Sequence, residues 1–537
     1  MTIKRRVSAG EDPSRAQLPP RVRTSYCRAA GVAALAAALA TLVASPGPVQ
    51  ALAALHSPSR PNVAIRIQTG PSQAVIPQSF LGLSWETTSL AYPSLVSTQL
   101  ANLMRGLGPG LLRVSGVSVD RTRWGIPGAQ TTPWELATIA PPVLERLGTL
   151  MRETRWGLLL GLDLGHVETP ALVQEATTAS ALLGSSLAAI QIGNEPDLYT
   201  HAPSPAFRVL LGFERLREPP WGVQQYEAEI TSLRAALAAA GATPPLYGPD
   251  TAGPAWLASY AQAEGRGLAS LAAHYYPLDR CSGGRLLVHG ATLKSLLGAR
   301  VARNEQRALR ALVRLAAANS LPLRIDEANS VACAGQPSVS DTFGAALWAL
   351  DFSLLAAREG VSGINFHGGL GQCGAGGIVA PWYSPLCALP DGQLRPRPAY
   401  YALLALRSLE GCAFVPVTSN APPNIAVFAL RAPDGSLRAV IDDMELATRG
   451  TRRRKAPPAS PVTVSVAAPA SYAQASVVRL AAPSASSLGG ATFGGAIVAP
   501  DGSFPGAVSA PVASAHGAFA VHVRPASAVI LTLSATR

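Results

Sequence analysis

Two glutamates stand where a carboxylate could do chemistry. Glu195 closes the run LAAIQIGNE and is embedded in Gly193-Asn194-Glu195-Pro196-Asp197; Glu327 closes LPLRIDE behind a long Ala- and Arg-rich helical stretch. Each carboxylate therefore sits at the mouth of a short apolar run with strand character. Cleavage of a glycosidic bond with retention needs one carboxyl group to protonate the leaving oxygen. A second, about 5 to 5.5 Å away, attacks the anomeric carbon. In that scheme Glu195 is the acid/base, kept protonated by its surroundings, and Glu327 the ionised nucleophile.

The neighbouring residues fit supporting roles. Asn194 could hydrogen-bond the sugar hydroxyl beside the reacting carbon, or cap the segment after Pro196. Arg113 lies in the run LLRVSG and could hold Glu327 ionised by direct pairing, which lowers a carboxylate pKa. His274 and Tyr276 are two apart in LASLAAHYY and so share a face; the tyrosine hydroxyl could then orient the nucleophile while Tyr275 faces outwards. A register slip of one would exchange the two tyrosines. Glu86 is placed to bind sugar hydroxyls, and Trp85 to stack on a sugar ring or fill the core. Gly369-x-Gly371-x-x-Gly374 matches a dinucleotide fingerprint in spelling only, since no helix opens after it, and reads as a flexible substrate loop. With no GxSxG, HExxH or CxxC, neither a serine hydrolase nor a zinc site has support, and no cofactor is expected.

Eight apolar runs alternate with helical stretches: 80–86, 111–116, 157–165, 187–195, 245–250, 268–276, 321–327 and 363–369. Eight βα units predict a TIM (β/α)8 barrel over 80–410, an α/β fold whose chemistry sits at the C-terminal strand ends. Glu195 then ends the fourth strand and Glu327 the seventh. From 411 to 537 helical patterning stops, and β-branched runs such as VTVSVAA and SAVILTLS predict a β-sandwich. NVAIRIQ, within the region 62–79, is expected to add an edge strand to it.

Residues 1–53 read as a leader: seven basic residues precede the apolar run AAGVAALAAALATLVA, and A-x-A-like sites follow near Ala51 and Ala53. This predicts secretion, the alternative being an uncleaved N-terminal membrane anchor. The leader's seven bases and two acids carry +5 of the net +12, leaving a moderate +7 for a chain that is 48% hydrophobic and 14% charged. Nearly all of the basic charge is arginine, without the aromatic interleaving of a nucleic-acid surface. The one dense cluster, Arg452-Arg453-Arg454-Lys455, reads as a solvated loop or a contact for an acidic glycan. Outside the cell disulfides are allowed. Cys281 and Cys333 follow consecutive predicted strands and should pair, as should Cys373 and Cys387 around one loop, leaving Cys412 a buried free thiol.

IQIGNEPD, RIDEANS and SDTFGAALWALDF (340–352) together resemble glycoside hydrolase family 79, the β-glucuronidase and heparanase group, over roughly 62–537. The resemblance implies a retaining barrel with a C-terminal sandwich, acid/base at Glu195 and nucleophile at Glu327. It also implies a tyrosine five residues after the nucleophile that helps hold the uronic acid carboxylate, where this chain has Ala332. Backbone amides around Gly368 and Gly369, or Tyr383, are expected to replace it. Ser115-Gly116-Val117 stands where related sequences often have Gly-Gly-Asn, which removes a polar sugar contact. The expected partner is a carbohydrate, a β-glucuronide first, with no nucleic acid and, once the leader is cleaved, no membrane. The alternatives are a retaining β-glycosidase for a neutral sugar and a non-hydrolytic carbohydrate-binding protein. The oligomeric state, and exo against endo cleavage, stay open.

Overall fold

The computed structural model describes residues 62–68, 70, 74–125, 132–201, 214–282, 285–286, 291–446 and 460–535. The leader and the Arg452–Lys455 cluster lie outside the described residues. Eight parallel strands form one sheet: Leu81–Glu86, Leu111–Ser115, Gly157–Leu162, Leu187–Ile192, Tyr247–Thr251, Ser270–Tyr275, Leu323–Ala328 and Gly363–Gly368. They are the eight runs read from the sequence and are called the first to eighth barrel strands below. Each is followed by a helix, so the (β/α)8 architecture is the observed one. The sheet order runs four-three-two-one-eight-seven-six-five. The ring meets itself between strands four and five through a single bridge, Ile190 to Leu246. That seam is stitched above by the Glu195 N–H on the Asp250 carbonyl at 2.8 Å and by the Asp197 carboxylate, which accepts from Ala252 and Gly253 at 3.0 Å.

Two helices show how pattern becomes packing. In Ala299–Ala318, Val301, Leu309, Leu312 and Ala316 make a buried stripe, and the arginines between them face outwards. Phe343–Glu359 is capped by the Thr342 hydroxyl and stopped at Gly360, whose φ of 102° suits a glycine at the C-terminal cap. It is apolar nearly all round because it is buried from Phe343 to Ala357. One side meets the barrel and the other the C-terminal sheets.

Those sheets form the sandwich. Along Ile425–Arg431 and Leu437–Asp443 alternate side chains part company: Phe428, Leu430 and Val440 join the barrel's core, while Ala429, Ala439 and Ile441 join a second core with Val464, Val521 and Leu531. Val63–Ile67 buries Val63, Ile65 and Ile67 in that second core. It pairs parallel with Val462–Ala467 and antiparallel with Val417–Ser419, so it is an interior strand and not the expected edge. A later stretch returns to the barrel, where Ser487 and Ala485 carbonyls accept from the Phe343 and Gly344 amides at 2.9 and 2.7 Å. No helix among the described residues is long and apolar enough to cross a membrane.

Candidate active site

At the C-terminal rim the strands bring ionisable side chains inward, and local irregularities aim them. Strict alternation would send Asp326 and Glu327 to opposite faces. The register slips at this point against the sixth and eighth strands, and both carboxyls turn into the barrel. The fifth strand slips likewise between Pro249 and Thr251, with Asp250 at φ 62°. Glu195 itself has φ 49° behind Gly193 at φ 82°, where a Cβ would lie 2.7 Å from the Tyr199 hydroxyl. Such backbone is costly and persists where surrounding contacts over-determine it.

Arg113, fully buried, is the hub. Its guanidinium donates to Glu327 Oε2 at 2.8 Å, Asp250 Oδ2 at 2.7 Å, Asn194 Oδ1 at 2.8 Å, Ser84 Oγ at 2.9 Å and Gln191 Oε1 at 2.9 Å. The other oxygen of Glu327 accepts from the Tyr276 hydroxyl at 2.7 Å. His367 Nδ1 and His274 Nδ1 lie 3.6 and 3.8 Å from its two oxygens. Burial alone would raise the Glu327 pKa, but His367, His274, Arg113 and the Tyr276 bond outweigh it and bring it down to about 2.

Glu195 has the opposite bias. Burial pushes its carboxyl above the ordinary range, and the nearby Glu327 charge adds to that, against a bond to His274 Nδ1 at 2.9 Å. The other face of the imidazole bonds Asp250 Oδ1 at 2.9 Å. Burial opposes charge on His274, yet Glu327 and Asp250 outweigh it and raise its pKa well above the usual histidine value. A carboxylate oxygen of Glu195 and one of Glu327 lie within 4.8 Å of each other. Both open into a cleft of about 250 Å³ lined also by Glu86, Val117, Leu198, Ala332, Cys333, Ala334, His367, Ile378 and Tyr383.

Glu195, Glu327, Tyr276, Tyr383 and Glu86 thus surround one space. Glu86 lines it but is already engaged, accepting from the Ser118 amide and hydroxyl at 2.8 and 2.6 Å and lying 3.5 Å from His367. Gly116, at φ 74°, makes room for that carboxylate, because a Cβ there would lie 2.6 Å from it. Arg113 and His274 do not line the cleft: Arg113 pairs with Glu327, as expected of it, and His274 bonds Glu195. Gly368 packs against Ser384, and the Gly369 amide already donates to Ser384 Oγ at 3.0 Å. Trp85 is core, 2% exposed, and Tyr275 stacks outward on Phe352. The loop expected to be flexible is tied by the Gly371 amide on Val379 and the Cys373 amide on Ala388. Cys281 pairs with Cys333 and Cys373 with Cys387, at Cα separations of 6.2 and 4.9 Å, and Cys412 is a buried thiol.

Sequence reasoning passed over Asp250, His367, Gln191, Asp326 and Ser84. Their signal was present: each is a buried polar residue inside a barrel strand, which is where an inward-facing barrel position shows. Two sets, Glu195–His274–Glu327 and Asp250–His274–Asp326, have donor types that suit a metal ion. They share one imidazole whose nitrogens both already bond carboxylates. Arg113 supplies cationic charge to Asp250, Glu327 and Asp326, so the cluster is balanced by side chains and fits a metal poorly.

The fold and rim define a class: a (β/α)8 barrel with a β-sandwich that presents paired glutamates from strands four and seven. No family model matches the chain. A β-glucuronidase of Neurospora crassa is 30% identical over 211 residues, 35% of this chain and 35% of that protein, so the match spans about a third of that relative's length. The crystal structure of a 4-O-α-L-rhamnosyl-β-D-glucuronidase from Fusarium oxysporum superposes with a TM-score of 0.70 at 19% identity, covering 88% of this chain and 100% of that one. An arabinofuranosidase from Xanthomonas axonopodis pv. citri gives 0.61 at 12% identity over 88% and 100%. These likenesses show the barrel fold.

Proposed function

We propose that the protein is a retaining β-glycosidase acting on terminal β-glucuronides, a member of the β-glucuronidase and heparanase group. The observation that carries the reading is the approach of the two glutamates to within 4.8 Å with opposite pKa displacements, Glu195 raised and Glu327 lowered to about 2. An inverting pair would stand about 6.5 to 9.5 Å apart to admit a water. Glu195 protonates the leaving oxygen while Glu327 attacks the anomeric carbon; the deprotonated Glu195 then activates water to release the sugar. His274 aims the acid and Tyr276 and Arg113 aim the nucleophile. Asn194, its Oδ1 held by Arg113, has its NH2 end left for a sugar hydroxyl. The likeness to the Neurospora β-glucuronidase supports the glucuronide in particular. The basic-then-apolar leader and two disulfides support export to an oxidising compartment.

The test is hydrolysis of p-nitrophenyl β-glucuronide beside the β-glucoside, β-xyloside and β-galactoside, with Glu327→Gln as control and NMR of the first-formed anomer. Glucuronide-selective turnover that releases the β-anomer and is lost in the control is expected. First release of the α-anomer would refute retention, and selective turnover of a neutral sugar would refute the substrate.

A further inference from the structure

Asp250 touches neither catalytic carboxyl with its side chain, yet it is bonded to the supports of both. One of its carboxyl oxygens, Oδ1, bonds His274 Nε2 at 2.9 Å, and the other nitrogen of that imidazole bonds Glu195 Oε1 at 2.9 Å. The second oxygen, Oδ2, accepts from Arg113 Nη2 at 2.7 Å, and Nη1 of that guanidinium donates to Glu327 Oε2 at 2.8 Å. The Asp250 carbonyl also accepts the Glu195 amide at 2.8 Å across the seam. Its φ of 62° is backbone that persists where surrounding contacts over-determine it.

The groups that face Asp250 come from five elements. They are Arg113 on the second strand, Gln191 on the fourth, His274 on the sixth and Asp326 on the seventh, with the Tyr226 hydroxyl on the adjoining Pro249 carbonyl at 3.3 Å. Burial and the Asp250 charge hold the Asp326 carboxyl well above its usual range, and burial does the same for the Tyr226 hydroxyl, so both keep their protons. Among these groups and the two glutamates, Arg113 and His274 are then the cations and Asp250 and Glu327 the anions, while Glu195 carries the acid proton.

In the reaction proposed above the catalytic negative charge changes place. As the glycosidic bond breaks, a Glu327 oxygen forms an ester with the anomeric carbon and loses its charge, while Glu195 gives its proton to the leaving oxygen and becomes the anion. Water then gives a proton to Glu195 and its oxygen to the anomeric carbon, and the ester breaks to restore the Glu327 charge. The imidazole lies between the two positions, with Nδ1 2.9 Å from Glu195 Oε1 and 3.8 Å from Glu327 Oε1. A cation there faces one carboxylate in each half-reaction, and the summed charge of the cluster stays constant. A cation so buried needs a counter-ion of its own that does not react.

We infer that Asp250 is the positioning residue that couples the two catalytic glutamates, as the permanent counter-ion of the His274 imidazolium and the Arg113 guanidinium. This rests on the retaining-glycosidase part of the reading above and not on the identity of the sugar.

The experiment records the side-chain nitrogen NMR signals of His274 in the full chain across the neutral pH range, assigned by their loss in His274→Asn. An imidazolium is expected in the free enzyme and again after Glu327 is trapped with a 2-deoxy-2-fluoroglycosyl fluoride of the sugar that is hydrolysed. A neutral ring in either state would overturn the inference. Asp250→Asn should turn the signals to those of neutral imidazole and, with that cation lost beside Glu195, move the alkaline limb of kcat/KM up by about 1 to 3 pH units. It should also lower kcat about 10²-fold on poor leaving groups with KM little changed. Asp250→Glu keeps the charge and should leave the limb in its wild-type place. A folded Asp250→Asn that loses kcat equally at every pH and for every leaving group would show a structural part alone and overturn the coupling. Should Asp250→Asn not fold, the wild-type signals decide. If no β-glycoside is hydrolysed and no trapped form appears, the function reading fails. The free-enzyme signals then still test the pairing: an imidazolium that Asp250→Asn neutralises upholds it, and a neutral ring overturns it.

Discussion

Arg113→Met removes the one guanidinium that touches both Glu327 and Asp250, at 2.8 and 2.7 Å. Glu327 is drawn from the ordinary glutamate value of 4.5 to about 2, a displacement worth about 3 kcal/mol. His367, His274, Arg113 and the Tyr276 hydroxyl produce it against burial. An adjacent arginine lowers a carboxylate by about 1 to 3 units, so its loss should bring the Glu327 pKa back up by that amount. The sign follows directly: the nucleophile is active only when ionised, and a higher pKa makes it take its proton at higher pH. The acid limb of kcat/KM, expected near the Glu327 pKa of about 2 in the wild type, should move up by about 1 to 3 pH units. Folding should suffer as well, because the buried Glu327, Asp250 and Asp326 carboxyls lose the Arg113 cation, at a cost of about 3 to 5 kcal/mol at neutral pH. In the wild type, the stability from the depressed Glu327 pKa is fully present above 4.5 and is lost as pH falls through about 2. The assay is initial-rate hydrolysis of an activated aryl glycoside from pH 2 to 8, with thermal unfolding to establish the folded range and Arg113→Lys as the charge-retaining control. A folded Arg113→Met whose acid limb coincides with that of the wild type would refute the role given to Arg113.

Glu327→Ala should abolish turnover and regain activity with azide, giving the α-glycosyl azide as the product to be identified by NMR. Glu195→Ala should spare first-step cleavage of dinitrophenyl glycosides and lose about 10²- to 10⁴-fold on poor leaving groups; equal losses on both would remove its acid role. Since His274 pulls the Glu195 pKa down against burial, His274→Asn should move the alkaline limb of the pH profile upward while lowering kcat. A downward shift would mean the imidazole is not charged beside Glu195. Gly116→Ala puts a Cβ 2.6 Å from the Glu86 carboxyl at φ 74° and should destabilise the fold by about 1 to 3 kcal/mol, measured by denaturant unfolding.

Legibility varied with how local the cause was. The eight barrel strands could be read because each is a short apolar run between helical stretches, and the two glutamates because they stand at the ends of such runs. Val63–Ile67 could be read as a sandwich strand from its alternation. Its interior position could not, since that depends on which strands flank it. Arg113 was legible as a partner for Glu327, but its reach to Asp250, Gln191 and Ser84 spans three other strands, and it also meets Asn194 just beyond the end of the fourth. That the Gly369 amide is taken by Ser384 could not be read, because a glycine-rich run says nothing of where Ser384 will lie.

The chain by itself determined the alternation of strands and helices, the change to β-sandwich patterning after 411 and the identity of the two carboxylates, because periodicity and residue chemistry are carried in neighbouring residues. Only the tertiary structure decided that Asp326 and Glu327 both face inward, that Glu195 leaves the seam with φ 49°, and that burial and charge drive the two glutamates apart in pKa. The physical reason is that register slips and electrostatic fields arise from groups distant in sequence. They come into being only when the ring of strands closes.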